Sequence, residues 1–179
     1  RNLMNPESTN NSVDQKPYPN RFMDPNFYCG TNDNAGVHVG LSIPSKGAYL
    51  AAIGGTFNGC TINAIGEAAI QQIIYRTWDV YATSTETFNA FYTHAIQACQ
   101  DLYNSTHPEY CVSLTKAYQA VEMDQAGTCS NQTEIAPACA VKDAGLIYPM
   151  KISGQQTSNF TPVETVYIGG VNGTPGKTV

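Results

Sequence analysis

The middle of the chain carries the pattern that most restricts its fold. Between residues 88 and 103, apolar side chains recur at i, i+3, i+4 and i+7, the spacing that places them on one face of an α-helix. A broader apolar face extends from about residue 64 to residue 81, and a third repeats through Cys111, Leu114, Tyr118 and Val121. These patterns predict a mainly α domain built from amphipathic helices.

Local signals predict where these helices begin and bend. Thr83 and Glu86 match the T-x-x-E capping box, as do Thr106 and Glu109, which flank a proline in the predicted first turn. A further helix-like pattern extends over residues 36–54. Pro44 lies inside that stretch and is expected to bend or weaken the helix.

The two ends of the chain differ from this middle. Residues 1–35 are polar and rich in Asn and Pro, which predicts an extended segment that lies over a surface. Residues 128–179 are poor in charge and rich in Gly, Thr and Val, with β-prone runs at 146–152 and 163–168 separated by turn signals. We therefore expect a helical domain over residues 1–127 and a strand-forming tail over residues 128–179.

Composition excludes two classes of partner. The formal net charge is −5, and the chain has only 9 Lys and Arg residues, so binding to nucleic acid is not expected. No apolar run approaches the roughly 20 residues of a membrane-spanning helix. The chain begins at Arg1 without a signal peptide, which we interpret as a mature or trimmed product.

The cysteines predict a disulfide framework and hence an oxidising compartment, because their number is even and no pair forms a CxxC motif. The six are Cys29, Cys60, Cys99, Cys111, Cys129 and Cys139. Many connectivities are open, and we predict sequential pairing: Cys29–Cys60, Cys99–Cys111 and Cys129–Cys139. The middle bridge would join the end of one helix to the start of the next.

Several N-x-[ST] sequons point in the same direction as the cysteines. Their acceptor residues are Asn10, Asn104, Asn131, Asn159 and Asn172. A single match in a chain rich in Asn and Thr would carry little information. Several matches together with the cysteines predict a secreted, extracellular glycoprotein.

One short stretch carries candidate chemistry. The sequence Asp-Asn-Ala-Gly-Val-His at residues 33–38 places a carboxylate and an imidazole in a glycine-containing turn that opens a helix-like segment. A carboxylate can orient an imidazole in this way for catalysis. The alternative is that Asp33 only caps the following helix. His94 and His107 are expected to have local roles.

The same stretch resembles the C-terminal helical domain of thermolysin-like zinc metallopeptidases. The similarity starts at residues 1–6, is strongest at residues 33–38 and continues through residues 43–50, covering about two thirds of the chain. It implies that His38 donates a hydrogen bond or proton to the oxyanion formed at the scissile carbonyl. It further implies that Asp33 orients His38 and that Arg1 binds a substrate carbonyl.

The resemblance also shows what this chain lacks. The zinc site of that family comes from an H-E-x-x-H motif and a further Glu, and neither His94 nor His107 has a partner at ligand spacing. We therefore expect no cofactor in this chain and zinc only in a partner half. Residues 40–42 read Gly-Leu-Ser, where the family has N-S-G close after the histidine.

Two functions compete on this evidence. The first is the C-terminal domain of a secreted metalloendopeptidase, inactive alone and paired with a zinc-bearing peptidase half. The second is a non-catalytic building block that assembles with copies of itself, as a filament, through its strand-forming tail. A third possibility is a binding module that uses the substrate cleft of this family without catalysing a reaction. It ranks last, since no ligand-specific feature supports it.

Overall fold

The computed structural model describes residues 2–125 and two short strands in the tail. The chain divides into two units, residues 1–140 and 141–179, which we describe separately. The first unit is mainly helical. Its α-helices within the described residues are α1 (Asn32–Gly40), α2 (Ser42–Ile53), α3 (Glu67–Arg76), α4 (Phe88–Tyr103) and α5 (Pro108–Ala120). No helix in this described part of the chain is long and apolar enough to cross a membrane.

The helices begin for reasons that differ in part from the sequence prediction. Thr87 caps α4 by accepting a hydrogen bond from the Ala90 N–H at 3.2 Å. The predicted capping box at Thr83 and Glu86 is therefore wrong as a helix start, although Glu86 does accept from the Thr83 N–H at 3.0 Å. Pro108 occupies the first turn of α5, as expected.

The predicted distortion around Pro44 takes the form of a division between two helices. Helix α1 ends before Leu41 and α2 restarts at Ser42, which leaves Pro44 in the first turn of α2. A proline is tolerated in that turn because its missing N–H has no helical partner there. The long helix predicted over residues 64–81 is likewise divided, into α3 and a π-helical turn at Thr77–Tyr81.

A β-hairpin between α2 and α3 went unpredicted. Strand β1 (Gly55–Phe57) pairs antiparallel with β2 (Cys60–Ile62) through a turn at Asn58 and Gly59. Both turn residues have positive φ angles, 49° and 80°. An Asn-Gly pair is the strongest short-range signal for a hairpin of this kind, and the helical periodicity on either side masked it.

The core lies where α5 packs between α2 and α4. Tyr118 is fully buried, and its ring lies so close to Gly47 that a Cβ there would be 2.5 Å from the ring. Only glycine fits this contact without displacing the ring. The disulfide Cys99–Cys111 joins the end of α4 to the start of α5, which confirms that predicted pairing.

The remaining cysteine predictions stay open. Cys29 and Cys60 are also disulfide-bonded. Cys129 and Cys139 lie outside the described residues, so the pairing of these four stays a prediction.

The extended N-terminal segment is held to the helical core by buried charged groups. Glu122 is almost fully buried and accepts from Arg21 Nη1 at 2.9 Å, from the Met23 N–H at 2.7 Å and from Asn58 Nδ2 at 3.0 Å. Lys46 is also buried and donates to the Met4 carbonyl at 2.5 Å. The polar segment therefore packs on the core through specific buried partners.

In the second unit, β3 (Pro149–Met150) pairs antiparallel with β4 (Val166–Tyr167). Each strand lies inside one of the two runs that sequence predicted as β-prone. The rest of the predicted tail lies outside the described residues.

Candidate functional site

Helix α1 opens with a left-handed turn. Residues 33–36 have φ angles of 57°, 48°, 63° and 79°, and the right-handed helix begins only after them. Asp and Asn visit the left-handed region more readily than other side chains, whereas Ala35 costs about 1–2 kcal/mol there. Backbone strain of this kind persists only where the surrounding structure enforces it, and it concentrates at functional sites.

The left-handed turn places the Asp33 carboxylate in contact with His38. Asp33 Oδ2 accepts from the His38 backbone N–H at 2.9 Å, and Oδ1 lies 2.5 Å from His38 Nδ1. The Asp33 side chain is 16% exposed and the His38 side chain 71% exposed. The imidazole is therefore held from one side by a shielded carboxylate while most of the ring faces solvent.

The charge state of Asp33 determines which nitrogen of His38 carries a proton. The hydrogen bond from His38 holds the pKa of Asp33 below its ordinary value, and the His38 backbone N–H lowers it further. An ionised carboxylate accepts hydrogen bonds and donates none, so Nδ1 must be the protonated nitrogen. Nε2 then points away from Asp33 and donates a hydrogen bond only in the imidazolium form.

An open apolar groove of about 800 Å³ lies beside this pair. All five α-helices contribute to its walls, together with the π-helical turn. Residues that define it include Tyr28, Val37, Leu41, Trp78, Phe88 and Tyr118. Residues 34–37, which lie between Asp33 and His38 in the chain, line this groove.

Comparison with known proteins identifies this arrangement. A family model described as the thermolysin metallopeptidase α-helical domain matches residues 1–123. The chain belongs to this family. The left-handed turn, the Asp33–His38 contact and the helices around the groove therefore all lie within the matched thermolysin-like α-helical domain.

Individual relatives agree with this assignment. Neutral protease B of Bacillus subtilis (strain 168) is 42% identical over 96 residues, which cover 54% of this chain and 18% of the relative. Thermostable neutral protease NprT of Geobacillus stearothermophilus is 38% identical over 107 residues, covering 58% and 19%. Thermolysin of Alicyclobacillus acidocaldarius subsp. acidocaldarius is 37% identical over the same length, with the same coverage. The chain thus spans about a fifth of the length of the curated relatives it matches.

Each histidine of this thermolysin-like domain contacts a different carboxylate. His94 Nδ1 lies 2.7 Å from Glu86 Oε1, and His107 Nδ1 lies 3.1 Å from Glu109 Oε1. The three histidines therefore do not converge on a common carboxylate, as the ligands of one metal ion would. No group of three or more His, Cys, Asp or Glu side chains within the described part of the chain could hold a metal ion.

The structure brings together some of the predicted site residues and leaves others untested. Asp33 and His38 meet as the sequence predicted. Arg1 lies outside the described residues, so its role as a substrate clamp stays a prediction. Of the predicted glycosylation residues, Asn10 and Asn104 are exposed on the first unit, and Asn131, Asn159 and Asn172 lie outside the described residues.

Sequence reasoning missed the groove and the role of Glu86. Glu86 lines the groove and has its carboxylate occupied by Thr83 and His94. The sequence pattern assigns Tyr118 only to a helix face and does not single out Trp78. No local signal reveals a groove, because its walls come from elements that lie up to ninety residues apart.

Proposed function

We propose that this chain is the oxyanion-stabilising domain of a secreted thermolysin-like metalloendopeptidase and that it is inactive without a separate zinc-bearing half. The observation that carries the proposal is the 2.5 Å contact between His38 Nδ1 and Asp33 Oδ1, formed by a left-handed turn. Membership in the thermolysin metallopeptidase family supports the reaction class.

In this proposal, His38 stabilises negative charge on the oxygen of a scissile amide. Asp33 holds the proton on Nδ1 and fixes the plane of the ring, so that the Nε2 proton of the imidazolium can be donated to the developing oxyanion. A preorganised donor of this kind contributes about 10²- to 10³-fold to the rate. Because the ring is mostly exposed, a substrate carbonyl can reach Nε2 without displacing protein atoms.

The chain itself provides no nucleophile in this reaction. Its described donors fit no zinc site, and its sequence contains no H-E-x-x-H motif. The metal, the attacking water and the general base would therefore come from the zinc-bearing half. Since the chain spans about a fifth of its relatives, this half could belong to the same polypeptide or to a companion chain.

Extracellular location is part of the proposal. The Cys99–Cys111 disulfide and the further disulfide bonds of Cys29 and Cys60 are stable in an oxidising compartment. The exposed sequons at Asn10 and Asn104 are accessible to glycosylation.

The decisive experiment uses natural material. We expect the chain to co-purify with zinc and with peptidase activity, and a His38→Ala variant of that assembly to lose about 10²- to 10³-fold in kcat. His107→Ala is the matched control, because His107 also pairs with a carboxylate but lies at the start of α5. Proteolysis by the refolded 179-residue chain alone, or equal losses in both variants, would refute the proposal.

The building-block alternative rests on the missing zinc motif and the strand-forming tail. Strands β3 and β4 pair with each other, which already occupies one edge of each strand. Electron microscopy of the same natural material distinguishes the two functions. Filaments without zinc or peptidase activity would favour the building block.

A further inference from the structure

The hairpin turn between α2 and α3 contains a pair of residues that can react with each other. Asn58 is followed by Gly59, and the chain has one other Asn-Gly pair, at residues 172–173. The backbone nitrogen of Gly59, once deprotonated, can attack the side-chain carbon Cγ of Asn58. Glycine has no side chain to obstruct this attack. Asn58 is therefore a candidate site of deamidation.

The deamidation reaction needs only water as a co-reactant. The bond from Gly59 N to Asn58 Cγ forms, the bond from Cγ to Nδ2 breaks, and ammonia leaves with the proton that Gly59 N gave up. Water then opens the resulting five-membered succinimide ring at one of its two carbonyls. The product is an aspartyl residue, or an isoaspartyl residue in which the main chain runs through the former side-chain carbonyl. No electron is transferred, so no oxidant or reductant is required.

The folded protein holds the Asn58 amide away from this reaction. Nδ2 donates to the Ala120 carbonyl at 3.1 Å and to Glu122 Oε1 at 3.0 Å, so both amide hydrogens are engaged. Ala120 and Glu122 lie at and just after the end of α5, and both residues are buried. Ring closure must turn Cγ toward the Gly59 nitrogen, which breaks both hydrogen bonds and takes a donor from a buried carboxylate. Folding therefore slows the reaction at this site.

The aspartyl product does not fit the position that Asn58 occupies. Deamidation replaces the amino group, which donates two hydrogen bonds, by a charged oxygen that only accepts. That oxygen would face the Glu122 carboxylate across the 3.0 Å that the hydrogen bond now spans, where Glu122 is almost fully buried. The Arg21 guanidinium already pairs with Glu122 at 2.9 Å and would be shared by two carboxylates. Two carboxylates this close at a buried position strongly disfavour the folded state.

The isoaspartyl product disturbs the backbone of the hairpin as well. It adds one carbon atom to the main chain inside a two-residue turn. Phe57 pairs with Cys60 directly on either side of that turn. Because the length of the loop fixes the register of a hairpin, the extra atom conflicts with this pairing. Both products therefore oppose the native arrangement.

We propose that Asn58 is a deamidation site that the folded protein protects and that unfolding exposes, so that its modification makes unfolding irreversible. The proposal goes beyond the proposed function and does not depend on the role of His38. Glu122 also accepts from Arg21 Nη1 and from the Met23 N–H. Modification of Asn58 therefore weakens the point where the N-terminal segment, the hairpin and the end of α5 meet.

The first test measures deamidation by peptide mapping of the natural protein, in mildly alkaline buffer and after complete unfolding in guanidinium chloride. Asn89 is the matched reference, because its Nδ2 also donates to a backbone carbonyl, that of Asp124 at 2.9 Å, but it precedes Ala90. We expect Asn58 to react about 10- to 100-fold faster in the unfolded protein, the factor for breaking buried hydrogen bonds. Equal rates for Asn58 in both conditions would overturn the protection. Equal rates for Asn58 and Asn89 in the unfolded protein would overturn the reactivity.

The second test asks whether modified molecules can remain folded. The natural protein is aged in buffer near its unfolding temperature, and folded and unfolded molecules are separated by size-exclusion chromatography. We expect peptides with modified Asn58 only in the unfolded fraction, because neither product fits the hairpin. The same proportion of modified Asn58 in both fractions would overturn the irreversibility.

The third test introduces the aspartyl product directly. Asn58→Asp in the full chain should lower the ratio of folded to unfolded protein about 10²- to 10³-fold, the effect of an uncompensated buried charge. Asn63→Asp is the matched control, because it adds the same charge at an exposed position just after β2 and should leave this ratio unchanged.

A double variant identifies the physical cause. In the presence of Glu122→Gln, the effect of Asn58→Asp should be about tenfold smaller or less, since an amide at position 122 can donate to the new carboxylate. If Asn58→Asp alone does not fold, recovery of folded protein in the double variant gives the same answer. An equal effect of Asn58→Asp with and without Glu122→Gln, or a double variant that stays unfolded while Glu122→Gln folds, would overturn the conflict between the two carboxylates.

Discussion

Replacing Asp33 by asparagine in the assembled peptidase tests whether the left-handed turn exists to orient His38. Asparagine tolerates the backbone conformation at φ 57°, so Asp33→Asn preserves the turn. It removes the negative charge and leaves one acceptor oxygen facing two donors, the His38 backbone N–H and Nδ1. One of these hydrogen bonds must be lost, and the imidazolium loses its charged partner.

The expected loss in kcat is about 10- to 100-fold, the range for one charge-assisted hydrogen bond. Its upper bound is the effect of removing the imidazole itself, about 10²- to 10³-fold, because Asp33 acts only through His38. KM should change little, since the carboxylate contacts the imidazole and no substrate group. We also expect Asp33→Asn to cost nothing further once His38→Ala is present.

Steady-state kinetics of the four proteins in this double-mutant cycle provide the assay, with urea denaturation as the control for folding. If Asp33→Asn lowers kcat by the same factor with and without His38, then Asp33 does not act through the imidazole. An unchanged kcat for Asp33→Asn would contradict the orienting role altogether.

The dependence of activity on pH in the acid range should also reflect the Asp33–His38 pair. The folded-state pKa of Asp33 is depressed by His38, so the pair is favoured above the ordinary carboxyl pKa of about 3.9 and is lost as pH falls through the folded value. Activity that depends on the pair should therefore survive mild acid. Asp33→Asn should remove this acid-side transition, whereas a transition of unchanged position would assign it to another group.

Three further predictions concern the scaffold. Glu122→Gln should destabilise the folded chain by about 3–5 kcal/mol in urea, because it removes the charge of a buried carboxylate that accepts a hydrogen bond from the partly buried Arg21 guanidinium; a loss below 1 kcal/mol would contradict this. The paired substitutions Cys99→Ser and Cys111→Ser should cost about 3 kcal/mol in the same assay, the loop-closure term for a separation of 12 residues, and native folding with no change would refute it. Asn104→Gln should remove one glycan from the protein purified from its source, visible as a mass decrease that enzymatic deglycosylation abolishes; equal masses before deglycosylation would show that the exposed sequon is unused.

The helices were readable from the sequence because their signal is local. Apolar residues at helical spacing around Phe88–Tyr103 and Pro108–Ala120 have one way to bury a common face, and the observed helices follow that spacing. Their starts were less predictable. Glu86 accepts from the Thr83 N–H as a capping box requires, yet α4 begins only at Phe88, where the Thr87 hydroxyl accepts from the Ala90 N–H.

For the candidate site, the sequence determined which residues could pair, and the spacing between Asp33 and His38 already suggested contact. The tertiary structure decided how they meet, through a left-handed turn that few side chains favour and that periodicity does not predict. It also decided the groove, the burial of Glu122 against Arg21 and the burial of the Tyr118 hydroxyl, which has no hydrogen-bond partner within the described part of the chain. These features join residues that are distant along the chain, so they depend on how helices pack and not on any local pattern.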